Sequence, residues 1–386
     1  MFAKKTSKPK VAGGLFAFVG ISAVAAVLVG FLVTPAVATT GISANGTVGL
    51  FDDLPDYLKL TDLAEKTSLY AKDKDGKEVL LASFYAQNRK EVPWNEINQY
   101  VKDAATSGDD PRFYEHGAID LMGTARAVLS NIIGNDVQGG SSITQQYVKN
   151  VLVQKAEGIS DPVAREAAYN AAVATNIDRK VKEMKLAIGV EQKYSKQEIL
   201  NGYLNITAFG GRIYGIEAAA EYYFSKTANP LPIPVAASLI ATVNSPNMFR
   251  IDDPDNLERN KLRRDYIIAR MAEYGKITDA ERDAAIATPI TPKITSSAAG
   301  CATAPFGAAN FCDYITWIIK NDKAFGATED DRWTAFQRGG WKIYSTLNVE
   351  LQTVSDASMT ARVPALTERG KLAGASTSVE VGTGRI

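Results

Sequence analysis

The sequence predicts a mainly α protein: a helical domain over residues 95–285 behind an N-terminal transmembrane helix, with small β elements in the flanks. Three observations carry that expectation. Val11 to Ala38 is uncharged throughout, longer than the roughly 20 apolar residues that cross a bilayer. From about 95 to 285 apolar residues recur at helical spacing, with glycines and prolines between segments. On either side, short alternating runs bounded by turn residues read as strands.

Taken in order, residues 1–10 form a cytoplasmic tail, because Lys4, Lys5, Lys8 and Lys10 favour a cytoplasmic N-terminus. Residues 11–38 are the anchor. Ala36-Val37-Ala38 also fits a cleavage site, so a cleaved signal peptide is the rival reading. Either way the chain from about residue 40 lies outside the cytoplasm. Residues 39–94 read as a juxtamembrane connector carrying one hairpin, Thr67–Ala71 and Glu78–Phe84, turned by Asp73-Lys74-Asp75-Gly76. The helical domain follows. Its expected helices are Ile119–Ile133, Ile143–Val153, a stretch Pro162–Tyr194 broken once, and Lys196–Leu204 with Ser195 as N-cap. After these come Ala-rich Ile213–Phe224, buried Val235–Val243, and Leu257–Tyr274 with a basic face of Arg259, Lys261, Arg263 and Arg264. Residues 286–312 read as loop. Alternation resumes through Trp341–Thr346, Leu351–Met359 reads as a helix, and Ser376–Ile386 as a strand with a Thr-Gly turn. Residues 286–386 are therefore expected to be a linker and the incomplete start of another domain.

Lys+Arg and Asp+Glu both number 43, so charge gives no case for a nucleic-acid partner. Hydrophobic residues make up 46%, enough for one large or two smaller cores. An external compartment permits a disulfide between Cys301 and Cys312, the only cysteines; the alternative is two free thiols. No second Cys pair or His lies nearby in sequence to complete a zinc site.

Two polar blocks stand out, Asp109–Asp120 and Gly139–Asn150. Asp109 and Asp110 precede Pro111, which pushes Asp110 out of helical geometry, and Phe113 and His116 follow. A carboxylate in a cleft can serve as a general base once burial raises its pKa; the plainer reading is two solvated acids at a turn. His116, the only histidine, can equally be structural. Gly139-Gly140-Ser141-Ser142 supplies backbone N–H groups and hydroxyls. Thr144, Gln145, Gln146, Lys149 and Asn150 follow on a helix start, where phosphate is readily bound. Further on, offsets of three and four place Arg179 and Lys180 on one helical face with Glu183, suited to a diphosphate or simply to a surface ion-pair ladder. Lys185, Glu191 and Lys193 read as solvated surface. Arg212, in the turn Phe209–Gly215, either reaches a cleft or faces water.

Together these blocks resemble the peptidoglycan glycosyltransferase domain of class A, bifunctional penicillin-binding proteins, a lysozyme-like helical fold. DDPRFYEHGA is similar to the family pattern EDxxFxxHxG, and GGSSITQQYVKN to GGSTITQQxxKN. Arg179–Glu191 with Ser195–Asn205 fits RKxxExxxAxxxE followed by SKxxILxxYLN. Gly210–Ala220 approximates the fourth motif, and the fifth runs from near Leu231 to Arg263-Arg264. The resemblance covers about 95–275. It implies an inverting transferase that polymerises lipid II into β-1,4 glycan and releases undecaprenyl diphosphate. Asp109 would be the general base on the acceptor hydroxyl, and Glu183 would assist at the departing diphosphate. Lys149, Arg179 and Lys180 would meet its charge. Asp110, Phe113, His116, Ser141, Thr144, Gln145, Gln146 and Asn150 would complete the substrate site. No cofactor is obligatory, although a divalent cation, Mg2+ or Mn2+, at the diphosphate is common in the family. The implied partners are lipid II, the lipid-linked glycan strand, the membrane and other wall-synthesis proteins.

Besides Ser142 in place of Thr, the sequence departs from the family pattern at four positions. Asp109 replaces Glu, Val235 stands where a Glu belongs, and Ala118 and Arg212 replace glycines. A catalytically weak lipid II-binding scaffold is therefore the second reading, and a wall-cleaving hydrolase the third. The tail resembles the linker before a transpeptidase domain, but the nucleophile motif SxxK occurs only at Ser7–Lys10. No transpeptidase activity is expected of this chain.

Overall fold

The computed structural model describes residues 63–120, 140–295, 299–363, 366–367, 370–371 and 374–384. The tail and anchor expected over 1–38, and most of the helix expected over Ile119–Ile133, lie outside these residues. Among the described residues no helix is long and apolar enough to cross a membrane. The chain divides into two compact units. One, Met1–Pro55 with Asp120–Gly140, contributes only Asp120 and Gly140 to the described residues. The other, Asp56–Ile119 with Ser141–Ile386, holds all of the described helices and strands.

This second unit is mainly helical. Strands β1 (Thr67–Lys72) and β2 (Glu78–Phe84) form the expected antiparallel hairpin, its turn closed by the Asp73 carboxylate accepting from the Asp75 and Lys77 N–H groups. Helix α1 (Gln99–Asp109) comes after the hairpin. Next are α2 (Ile143–Glu157), α3 (Pro162–Val173), α4 (Ile177–Lys193) and α5 (Lys196–Ile206). The long stretch is broken once, at 174–176, where Asn176 caps α4 by accepting from the Arg179 N–H at 2.8 Å. Ser195 and Glu198 form a reciprocal capping box that starts α5.

A two-stranded turn, β3 (Ala208–Gly210) with β4 (Ile213–Tyr214), precedes α6 (Ile216–Phe224). Helix α6 thus begins three residues later than expected, because Ile213 and Tyr214 pair as strand. Helices α7 (Ile233–Asn244), α8 (Pro246–Phe249), α9 (Leu257–Glu273) and α10 (Asp279–Ala287) complete the helical part. Its core is built by α7 and the inward faces of its neighbours, including Val101, Ile143, Leu200, Ala220, Leu239, Ile240, Ile267 and Met271.

Two close helix approaches set the position of the site. A Cβ on Gly108 would stand 3.0 Å from Ile267 Cγ1, so the glycine lets the end of α1 press onto α9. A Cβ on Gly202 would stand 2.7 Å from the Tyr147 ring, so α5 lies equally tight on α2.

The flank holds α11 (Ala309–Asn321), α12 (Glu329–Arg338), β5 (Lys342–Asn348) and α13 (Val349–Arg362). Strand β5 adds to the hairpin in parallel with β1, giving the order β2-β1-β5. Cys301 and Cys312 are disulfide-bonded, Cα atoms 5.4 Å apart, within an apolar cluster with Leu69, Leu81, Phe336 and Leu347. Two sequence expectations are corrected in this flank. The loop expected over 286–312 ends early, because α11 already starts at Ala309, and α12 follows it at Glu329. Residues 374–384 carry a turn but no strand, since nothing pairs with them along a ladder.

Candidate active site

Asp109 is the last residue of α1, where the helix stops before Pro111. Its side chain is 9% exposed. Three helices converge on it. Arg263 of α9 donates to Oδ1 at 3.0 Å, and Tyr203 of α5 donates to Oδ2 at 3.4 Å. The Tyr203 hydroxyl also lies 3.2 Å from Oε1 of Gln146 on α2. Burial pushes the Asp109 carboxyl above the usual carboxylate range, although Arg263 and the Tyr203 bond pull the other way. Burial beside the Asp109 charge drives the Tyr203 hydroxyl well up, so it remains a proton-bearing donor. The result is a shielded carboxylate held from one side by a cation, the environment a general base needs.

Asp110 faces elsewhere and has a different task. Its Oδ2 accepts from the Ile143 N–H at 3.0 Å, one of the unpaired donors at the start of α2. Its Oδ1 pairs with His116 Nε2 at 2.7 Å. His116 Nδ1 in turn meets the Gly117 carbonyl. Both ring nitrogens face acceptors, so both are best satisfied as donors. Burial lowers the His116 pKa, but the bonds to Asp110 and Gly117 outweigh it and the net shift is upward. Ser142 caps α2 and donates to the Ala118 carbonyl at 2.7 Å. The Asp109–Ala118 block is therefore tied to the start of α2 by Asp110 and Ser142. Ala118 and Arg212 both have ordinary backbone angles, outside the positive-φ region, so replacing glycine there introduces no strain.

A second cluster lies at the same helix start. Glu183 of α4 is 3% exposed and accepts from both Arg179 and Lys180. Lys180 Nζ also donates to Ser141 Oγ at 2.7 Å and to Gln145 Oε1 at 3.0 Å. Burial lowers the Lys180 pKa, Glu183 opposes that, and the charges of Arg179 and Lys149 add to it. Lys149 is exposed on α2. Two cations thus hold one carboxylate and Lys149 lies near enough to act on Lys180 by charge, an excess of positive charge suited to an anionic ligand. Neighbours on α2 serve the two clusters: Gln145 meets Lys180 and Gln146 meets the Tyr203–Asp109 pair.

The other expected site residues act further back. Thr144 is fully buried and donates to Glu191 Oε1 at 2.5 Å. Glu191 accepts from Lys196 as well, at 2.7 Å, and its side chain is only 12% exposed, so it is a tie between α2, α4 and α5 and not solvated surface. Phe113 is 0% exposed under the Lys196 ammonium, 4.5 Å from its ring centroid. Asn150 donates to Thr207 Oγ1 at 3.3 Å. Arg212 is exposed. Arg263 and Tyr203, the two partners of Asp109, are the residues that sequence reasoning did not place at the site. Their positions at the end of the fifth motif and inside the ILxxYLN run were the available signal.

The transglycosylase family model matches residues 77–272, the span that holds both clusters. The chain belongs to this family, the glycosyltransferase domain of class A penicillin-binding proteins. Among curated relatives of this chain, penicillin-binding protein 1A of Rickettsia typhi is 30% identical over 311 residues, covering 80% of this chain and 35% of the relative. Penicillin-binding protein 1F of Bacillus subtilis is 38% identical over 211 residues, covering 54% and 26%. A crystal structure of penicillin-binding protein 1A from Haemophilus influenzae aligns with a TM-score of 0.38 at 17% identity, over 75% of this chain and 28% of that one. The chain thus spans about a third of the length of the relatives it matches first.

Proposed function

We propose that the chain is an inverting peptidoglycan glycosyltransferase that polymerises lipid II into β-1,4-linked glycan and releases undecaprenyl diphosphate. The observation that carries this reading is the buried Asp109 carboxylate, held by Arg263 and Tyr203 and linked through adjacent Gln146 and Gln145 to the Lys180–Glu183 cluster. Inverting transfer needs a base at the attacking hydroxyl and charge stabilisation at the leaving group. In this reading Asp109 takes the proton of the acceptor 4-hydroxyl as its oxygen attacks the donor's anomeric carbon. The diphosphate leaves with the bonding pair, and Arg179, Lys180 and Lys149 meet its charge. Glu183 holds Arg179 and Lys180 in place.

Both Glu183 oxygens already accept from cations, so this cluster does not itself fit a resident Mg2+ or Mn2+, and no step is assigned to one. A cation carried on the substrate's own diphosphate is compatible with it. The lysozyme-like fold, the domain boundaries at 95–285, and a membrane anchor over 11–38 with the catalytic part outside the cytoplasm belong to the same proposal. A substrate whose lipid tail stays in the bilayer suits such an anchor. No transpeptidase step is assigned to the residues present. The test is conversion of labelled lipid II to glycan polymer by the detergent-solubilised chain. Lipid II binding without polymer would favour the scaffold reading that the Glu-to-Asp change at 109 leaves open. Release of soluble muropeptides from polymer would favour a hydrolase.

A further inference from the structure

We propose that Tyr266 is the sugar-stacking residue on the acceptor side of this site. The inference rests on the reading of Asp109 as the base and deepens it. Tyr266 lies three residues after Arg263 on α9, on the same helical face. The Arg263 guanidinium carbon lies 5.0 Å from the centroid of the Tyr266 ring, while its Nη2 donates to Asp109 at 3.0 Å. One guanidinium therefore joins the carboxylate that receives the acceptor's proton to an aromatic ring.

The exposure of that ring is what points to a ligand. Tyr203 and Tyr223 are buried at 1% and 0%, whereas Tyr266 is 44% exposed. Leu262, one turn earlier on α9, is 63% exposed. One turn apart, the two lie on one exposed apolar face of α9. A cation against a tyrosine ring is attracted to its π-system and fixes its orientation, leaving the rest of the ring to solvent. The C–H face of a pyranose is apolar and carries slight positive charge, which suits the negative face of an aromatic ring. A sugar hydroxyl hydrogen-bonded to Asp109 places the body of its ring within the short span that Arg263 bridges. The ligand class is the terminal amino sugar of the lipid-linked acceptor.

The experiment holds a short lipid-linked glycan donor constant and titrates lipid II as acceptor, for wild type, Tyr266→Ala and Tyr266→Phe. Tyr266→Ala is expected to raise the acceptor KM about threefold to tenfold, with kcat and the acid limb of the pH profile unmoved. Tyr266→Phe is expected to restore KM, and thermal unfolding of both variants to match wild type at this exposed position. An acceptor KM within about twofold of wild type in Tyr266→Ala overturns the inference while leaving Asp109 as base. So does a loss confined to kcat with a displaced acid limb, which would make the ring a brace for Arg263. A wild-type chain that makes no polymer overturns both readings together.

Discussion

Asp109→Asn separates chemistry from architecture at the proposed base. The carboxylate is nearly buried and makes two directed contacts, from Arg263 at 3.0 Å and Tyr203 at 3.4 Å. An amide of the same shape can still accept from Arg263. Its NH2 can donate to the Tyr203 oxygen while the hydroxyl proton turns to Gln146, 3.2 Å away. The fold should therefore survive, with thermal unfolding close to wild type. The base function should not survive. Positioned proton transfer contributes roughly 10²–10⁴-fold, or about 3–5 kcal/mol of barrier, so initial rates on labelled lipid II should fall by that factor. Asp109→Ala adds a structural cost, because Arg263 loses its carboxylate. Breaking a buried pair costs about 3–5 kcal/mol, and the Arg263 side chain retains 23% exposure, so the lower end applies and unfolding should come several degrees earlier. Asp109→Glu restores the family's longer carboxylate and should match or exceed wild type. The reasoning fails if Asp109→Asn polymerises within about threefold of wild type, a loss too small for a general base.

Three further outcomes are expected from the same geometry. Arg263 holds the Asp109 pKa down against burial, so Arg263→Gln should move the acid limb of polymerisation to higher pH; an unmoved or lowered limb in a pH–rate profile contradicts that pairing. His116 has a raised pKa from its bonds to Asp110 and Gly117. Its contribution to stability is therefore full below the ordinary histidine value of 6.5 and is lost as pH rises through the raised one. Wild type should show a falling Tm across that window, and His116→Gln a flatter one. Reducing the Cys301–Cys312 bridge releases a short loop, at a cost of about 2–3 kcal/mol, read as earlier unfolding of the flank in denaturant with polymerisation retained.

The legible parts of this protein are those set by local chemistry. The Asp73–Gly76 turn, the Ser195 cap and the Pro162 and Lys196 helix starts depend on neighbours in sequence, and the structure has them all. The Thr328–Asp331 capping box of α12 is equally local, although the sequence reading assigns no helix there. Where helices turn their faces is not legible. Arg259, Lys261, Arg263 and Arg264 read as one basic face, yet Arg264 is 0% exposed, donating to the Thr288 and Ile286 carbonyls, while Arg263 turns to Asp109. Successive residues differ by about 100° around a helix, and only the packing of α9, on α1 at one side and on α10 at another, assigns each its neighbour. Glu191 is misread as surface for the same reason, since Thr144 lies 47 residues away. Strand β5 is recognisable by alternation, but its parallel partner β1 lies across the whole helical part.

The most direct test of the central claim is incubation of labelled lipid II with the detergent-solubilised chain, with and without moenomycin, an inhibitor of the family. The account predicts glycan polymer that moenomycin abolishes, made with aspartate at position 109. Intact lipid II binding with no polymer under any detergent would contradict it and leave a binding scaffold in its place.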